Sequence, residues 1–208
     1  EGKSIFELRG EVLVNGVRAS EATVIKPGDQ VKTGSSSYAI YAVGANAYLL
    51  RENSTFDVGL AGKALKQAMR LITGKLLGVF GKRDQRLSLN TPSATIGIRG
   101  TGVYAETDPD KTYLCTCYGT TDLVAARDYD LSRTKGEKGH EPEKMQVTAQ
   151  HHDAAKYILT RPENGKLIVP APFIKHTDLE LMTLEALVGR EVPFGLPADQ
   201  YESPRREY

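Results

Sequence analysis

A mainly β protein, built as a β-roll, a solenoid or a sandwich, is what the sequence predicts, and three observations carry the prediction. The 208 residues include 20 Gly, 10 Pro and 10 Tyr but no Trp. Turn signals recur about every ten residues through the first half. Between them lie short runs of β-branched and aromatic side chains, which suit a half-buried pleated surface. The chain is long enough to bury a core without covalent staples. With 25% charged and 40% hydrophobic residues it does not have the composition of a disordered chain. Lys plus Arg number 27 against 26 Asp plus Glu, a formal net charge of +1, which argues against a nucleic-acid binder. No apolar run reaches membrane-spanning length. The chain opens on Glu1, which fits a leader removed or lying outside this segment.

Element by element, Val12, Val14 and Val17 flank Asn15-Gly16, a hairpin signal. Ile25-Lys26-Pro27-Gly28-Asp29 is a turn, with Pro fixing its first angle, Gly taking a positive one and Asp29 bonding its own loop. Tyr38–Val43 and Ala47–Leu50 read as strands. Residues 60–81 mix helical spacing at Leu65, Met69 and Ile72 with Gly74, Gly78 and Gly81, which do not suit a helix interior. The stretch Met69–Phe80 therefore reads as strand, preceded by a turn of helix. Arg86–Leu89 alternates, Thr91-Pro92 breaks, and Ala94–Tyr104 resumes, with Gly97, Gly100 and Gly102 marking bulges or close backbone packing.

Residues 128–145 are a solvated charged loop between two strand-like segments, 121–127 and 144–150, which predicts an antiparallel hairpin. Tyr157–Leu159 and Leu167–Val169 form a further pair turned at Glu163-Asn164-Gly165. One helix follows over about 177–188. Thr177 and Glu180 have capping-box spacing, Leu181, Leu184, Leu187 and Val188 form its apolar stripe, and Gly189 stops it. The chain divides into a β domain over 1–106, a β extension with the helix over 107–192, and a tail over 193–208.

Three segments carry a family likeness: Gly10–Gly16, then Ile25–Gly34 with its Gly-Asp-Gln-Val-Lys-Thr-Gly run, then Thr91–Thr101 with Thr-Ile-Gly-Ile-Arg-Gly-Thr. Together they resemble the FecR domain over about residues 8–106. The resemblance implies a periplasmic, β-rich, non-catalytic module that works in signalling through an envelope protein partner. The chain shows neither the cytoplasmic anti-sigma segment nor the membrane helix of such signalling proteins. A free periplasmic or lipid-anchored binding protein fits, as does a soluble piece of a longer one. Within the motif, Arg99 lies in a Gly-rich apolar strand, which favours a buried pair with a carboxylate over an anion contact.

Both cysteines fall in Cys115-Thr116-Cys117. On a strand, alternate residues share a face, so the two thiols stand side by side. A disulfide would sit near the upper limit of Cα separation. Extending the predicted hairpin brings Cys117 toward His151 and His152, and His176 precedes the helix. Cys115, Cys117, His151, His152 and His176 are thus candidate ligands for zinc or copper, since two thiolates and two imidazoles close a tetrahedral site. Neighbouring strand residues face opposite ways, so at most one of His151 and His152 joins the cysteines. His140 is solvated in the charged loop. A structural Cys-x-Cys disulfide and ordinary packing stay open as alternatives. So does a thiol hydrolase with Cys117 as nucleophile, His152 as base and Asp178 as orienter, although a strand does nothing to activate a cysteine. The functional expectation is a non-enzymatic periplasmic binding or sensing protein, with a metal site in the extension or, alternatively, a pure docking scaffold.

Overall fold

A computed structural model describes residues 4–59, 68–82, 87–125, 142–174 and 176–195. The turn of helix expected before Met69, Arg86, His140 and most of the 128–145 loop, and the tail beyond 195 lie outside the described residues. The fold is mainly β, with a large open sheet folded on itself and one helix among the described residues.

The sheet starts from local signals. β1 (Ile5–Arg9) is followed by β2 (Val12–Val14) and β3 (Val17–Arg18). Asn15 and Gly16 between β2 and β3 have φ of 52° and 80°, the paired positive angles of a tight hairpin turn. Before β4 (Gln30–Thr33), Asp29 accepts from the Lys26 amide at 2.7 Å and from Asn15 Nδ2 at 2.8 Å, so one carboxylate locks its own turn and the neighbouring hairpin. β5 (Tyr38–Val43), β6 (Asn46–Leu50) and β7 (Thr55–Asp57) follow, and then the 12-residue β8 (Ala68–Val79).

β8 is the junction of the fold. One of its edges pairs with β7 near Leu71 and with β6 from Leu76 onward. Its other edge meets β9 (Leu87–Asn90) in parallel and then β10 (Ala94–Thr107). Gly74 stands where the partners change, at φ 93°. β10 and β11 (Lys111–Ala125) form a long hairpin, paired from Ala94↔Ala125 to Thr107↔Thr112. Its register shifts between Arg99 and Gly102, and Gly100 has φ 57°, so the glycines do mark a bulge. Arg99 meets Asp122 at 3.3 Å, but its side chain is 52% exposed. Strand alternation puts Arg99 on the exposed Thr95 side of β10, opposite the buried Ile96 and Ile98, so the pair is not buried as the apolar sequence around it suggests.

β12 (Lys144–Ala149) and β13 (Lys156–Glu163) both lie along the free edge of β11, at 119–124 and 111–114 respectively. They run one after the other in the same direction, with residues 150–155 making a detour opposite 115–118. β14 (Lys166–Pro170) closes the sheet after a turn at Asn164 and Gly165, with φ of 48° and 79°.

The two faces of the sheet bury separate clusters. One runs from Ile5 through Phe56, Leu71, Leu89 and Ile96 to Ile168, across both the 1–106 and 107–192 segments. The other holds Leu77, Val79, Tyr104, Tyr113, Cys115, Cys117 and Tyr118 under α1 (Asp178–Leu187), which contributes Leu181 and Leu184. Along β11, Leu114 joins the first cluster while Tyr113, Cys115 and Cys117 join the second, the alternation a strand imposes. Thr177 caps α1: its hydroxyl accepts from the Glu180 amide, and the Glu180 carboxylate accepts from the Thr177 amide at 2.9 Å. Glu180 also meets Arg51 of the sheet at 2.8 Å, and Arg190 meets the buried Glu185 at 2.6 Å. Thr177→Ala should lower stability by about 1 kcal/mol, seen as an earlier denaturation midpoint at unchanged slope.

Candidate functional site

Three pieces of chain converge under the helix. β11 projects Cys115 and Cys117 from one face. The 150–155 detour brings in His152, whose amide donates to the Cys117 carbonyl at 2.8 Å and whose φ is 54°. A positive φ is strained for a side chain of this kind and persists where its surroundings fix it. The segment before α1 brings in His176. Tyr113 holds that segment: its hydroxyl donates to the Pro172 carbonyl at 3.0 Å and accepts from the Ile174 amide at 3.2 Å.

Cys115 Sγ lies 3.5 Å from His152 Nδ1, and Cys117 Sγ lies 3.3 Å from His176 Nε2. The two imidazole nitrogens are 3.1 Å apart. All four donor atoms fall within 4.8 Å of one another, and all four residues are buried. Both cysteines are free thiols. Each ring's other nitrogen also has a partner. His176 Nδ1 meets the Ile174 carbonyl at 2.9 Å, and His152 Nε2 meets Asp178 Oδ1 at 2.8 Å. Such outer contacts fix the tautomer and aim of a ligating histidine. Aromatic rings wall the cluster: Tyr104 stacks on His176 at 4.7 Å and Phe173 on His152 at 4.3 Å.

The electrostatics follow from burial and crowding. Burial pushes the Cys115 thiol up, but hydrogen bonds from Cys117, His152 and His176 outweigh it and hold the thiol well below its usual range. Burial, followed by the bond to Cys115 and its charge, pushes Cys117 well up. Burial opposes the His152 imidazolium, yet contacts with Cys115 and Asp178 raise it overall. The four donor groups form a cluster buried from bulk solvent.

Of the five candidates, Cys115, Cys117, His152 and His176 come together, and His151 does not join them. The two adjacent histidines lie in a bend, not a strand, and do not face opposite ways as a strand would require: their rings are 4.8 Å apart and both Nε2 atoms reach Asp178. His151 Nε2 instead meets Asp178 Oδ1 at 2.9 Å. Asp178, at 1% exposure, links both rings. Its position two residues after His176 is the one sequence signal for that role. The thiol bonded to His152 is Cys115, not the Cys117 of the hydrolase reading. A separate groove of about 670 Å³ lies between the helix and the outer strands, lined by Arg9, Tyr38, Arg51, Leu179 and Thr183 among others, and none of the cluster residues lines it.

No protein-family model matches the chain, and no curated protein does. Among solved structures, it is similar to two crystal structures, at 1.65 and 2.50 Å resolution, described as a candidate anti-sigma factor from Parabacteroides distasonis ATCC 8503. Each is 8% identical with a TM-score of 0.49, over 68% of this chain and 58% of the other. The chain thus spans well under two thirds of the length of those proteins. Among the described residues no helix is long and apolar enough to cross a membrane.

Proposed function

We propose that the chain is a non-catalytic, metal-binding β protein of the periplasm, in which Cys115, Cys117, His152 and His176 hold one zinc ion. The observation that carries this is the convergence of four soft and borderline donors within 4.8 Å, all buried. Two thiolates and two imidazoles complete a tetrahedral zinc shell and leave no open position for a substrate, the mark of a structural or sensing site. The donor set also suits copper(I). The ion would tie β11, the 150–155 detour and the start of α1 together, so that occupancy is felt as the docking of the helix. The FecR-like segments support a signalling role for the N-terminal half, through an envelope protein partner.

The connectivity Cys115–His152–Asp178 is also that of a thiol hydrolase. That reaction needs the sulfur to meet a substrate, and Cys115 is 0% exposed. The burial favours the metal.

Elemental analysis of untagged protein, purified without chelator, should give at least one zinc or copper per chain. Ala at both Cys115 and Cys117 should remove about one equivalent. Two thiols should be shielded from a thiol reagent until a chelator is added. Protein that carries no metal, or whose metal content is unchanged in the double variant, would end this reading.

A further inference from the structure

We infer a second metal site on the outer side of the first, formed by His151, Asp178 and the outward nitrogen of His152, so that His152 bridges two ions. The inference rests on the four-ligand reading above. His152 turns Nδ1 toward Cys115 and His176, which leaves Nε2 pointing to Asp178. Asp178 Oδ1 is 2.8 Å from that nitrogen and 2.9 Å from His151 Nε2, and these donor atoms lie within 4.8 Å of one another.

The Asp178 carboxylate supplies the independent observation. It is 1% exposed, yet its second oxygen, Oδ2, is buried with no hydrogen-bond partner among the described residues. A buried carboxylate oxygen left bare is costly and calls for an ion or a water. A purely orienting role for Asp178 needs only the contact with His152. It explains neither the second imidazole on the same oxygen nor the bare one. A cation set between the two rings and the carboxylate accounts for all three.

Access differs between the two sites. The His151 side chain is 23% exposed, against 4% for His152 and 1% for Asp178. An ion would enter along His151, past Phe194, whose ring lies 4.4 Å from the imidazole. Two nitrogens and a carboxylate suit a borderline divalent ion such as zinc, cobalt(II) or copper(II), with the remaining positions open to water. Binding requires His152 to give up its Nε2 proton to solvent and become an imidazolate. His151 keeps one proton, on Nδ1.

Cobalt(II) titration of the reduced, metal-free full chain tests this. The thiolate-to-cobalt absorption should saturate at about one equivalent, the signature of the cysteine site. A second equivalent should then survive desalting without adding to that band. It should also diminish the paramagnetic signal of the first ion through the shared ring. His151→Ala, at a partly exposed position, should retain one equivalent with the thiolate band unchanged. One equivalent in the unaltered chain overturns the second site and leaves the first standing. Two equivalents in both chains also overturn it, because the extra ion then lies elsewhere. Absence of the thiolate band marks failure of the first site instead.

Discussion

With an ion held by Cys115, Cys117, His152 and His176 as proposed, stripping it should lower the melting temperature by about 8–16 °C. A ligand present at a thousand times its dissociation constant stabilises the folded state by about 4 kcal/mol. A chain of this size shifts by about 2–4 °C per kcal/mol. The loss should be largest in the layer under α1, because the ligands come from β11, the detour and the residue before the helix cap. Hydrogen exchange would show this as faster exchange in 150–155 and 174–187, with the Ile5–Ile168 core little changed. The variant with Ala at both cysteines should lose most of this response to chelator. An unaltered chain whose melting ignores chelator would remove the ion from any account of its stability.

Gly74→Ala should destabilise the chain by about 2–5 kcal/mol, combining a left-handed backbone with an overpacked site. An added Cβ would stand 2.5 Å from the Ser54 Cα and nearer still to its hydroxyl. Ser54 cannot yield cheaply: its Oγ accepts from the Lys75 amide at 2.9 Å and donates to the Glu52 carbonyl at 3.0 Å. These bonds hold the corner at which β8 changes partners. Gly165→Ala is the matched control. Its φ is 79° but nothing lies within 4 Å of the added atom, so only the backbone term of about 1–2 kcal/mol applies. Denaturant midpoints of the two variants separate crowding from conformation. Equal losses would mean that Ser54 moves aside freely.

The features legible in the sequence were those written locally. Asn15-Gly16 and Asn164-Gly165 turn as their dihedral preferences require, and Thr177 with Glu180 caps the helix. The Cys-x-Cys alternation placed both thiols on one face, and the adjacent histidines, together with His176, pointed to a convergence. What local signals do not carry is long-range pairing. Aligning 121–127 with 144–150 misses the register by three residues: the ladder pairs Val124 with Lys144 and Gly119 with Ala149. Because the charged connection between the strands is long, nothing in its length fixes their alignment. The junction role of β8 was hidden for the same reason, since its partners are set by burial on both faces. Asp178 was visible beside His176, but its place between two rings depends on the path of the detour. Arg99 is exposed because it shares the Thr95 side of β10 while its apolar neighbours Ile96 and Ile98 face the core, an alternation that the apolar composition of the segment masks.

The detour has a consequence for how such a centre can come and go. Six residues, 150–155, span the interval that four residues, 115–118, occupy on the partner strand. A two-residue deletion would therefore let β12 run straight into β13 and withdraw His152 without disturbing the ladder on either side. Loop segments tolerate small deletions, so a chain with the proposed centre and one without it can share an otherwise identical scaffold. A shortened version of this chain would be a ready-made metal-blind counterpart.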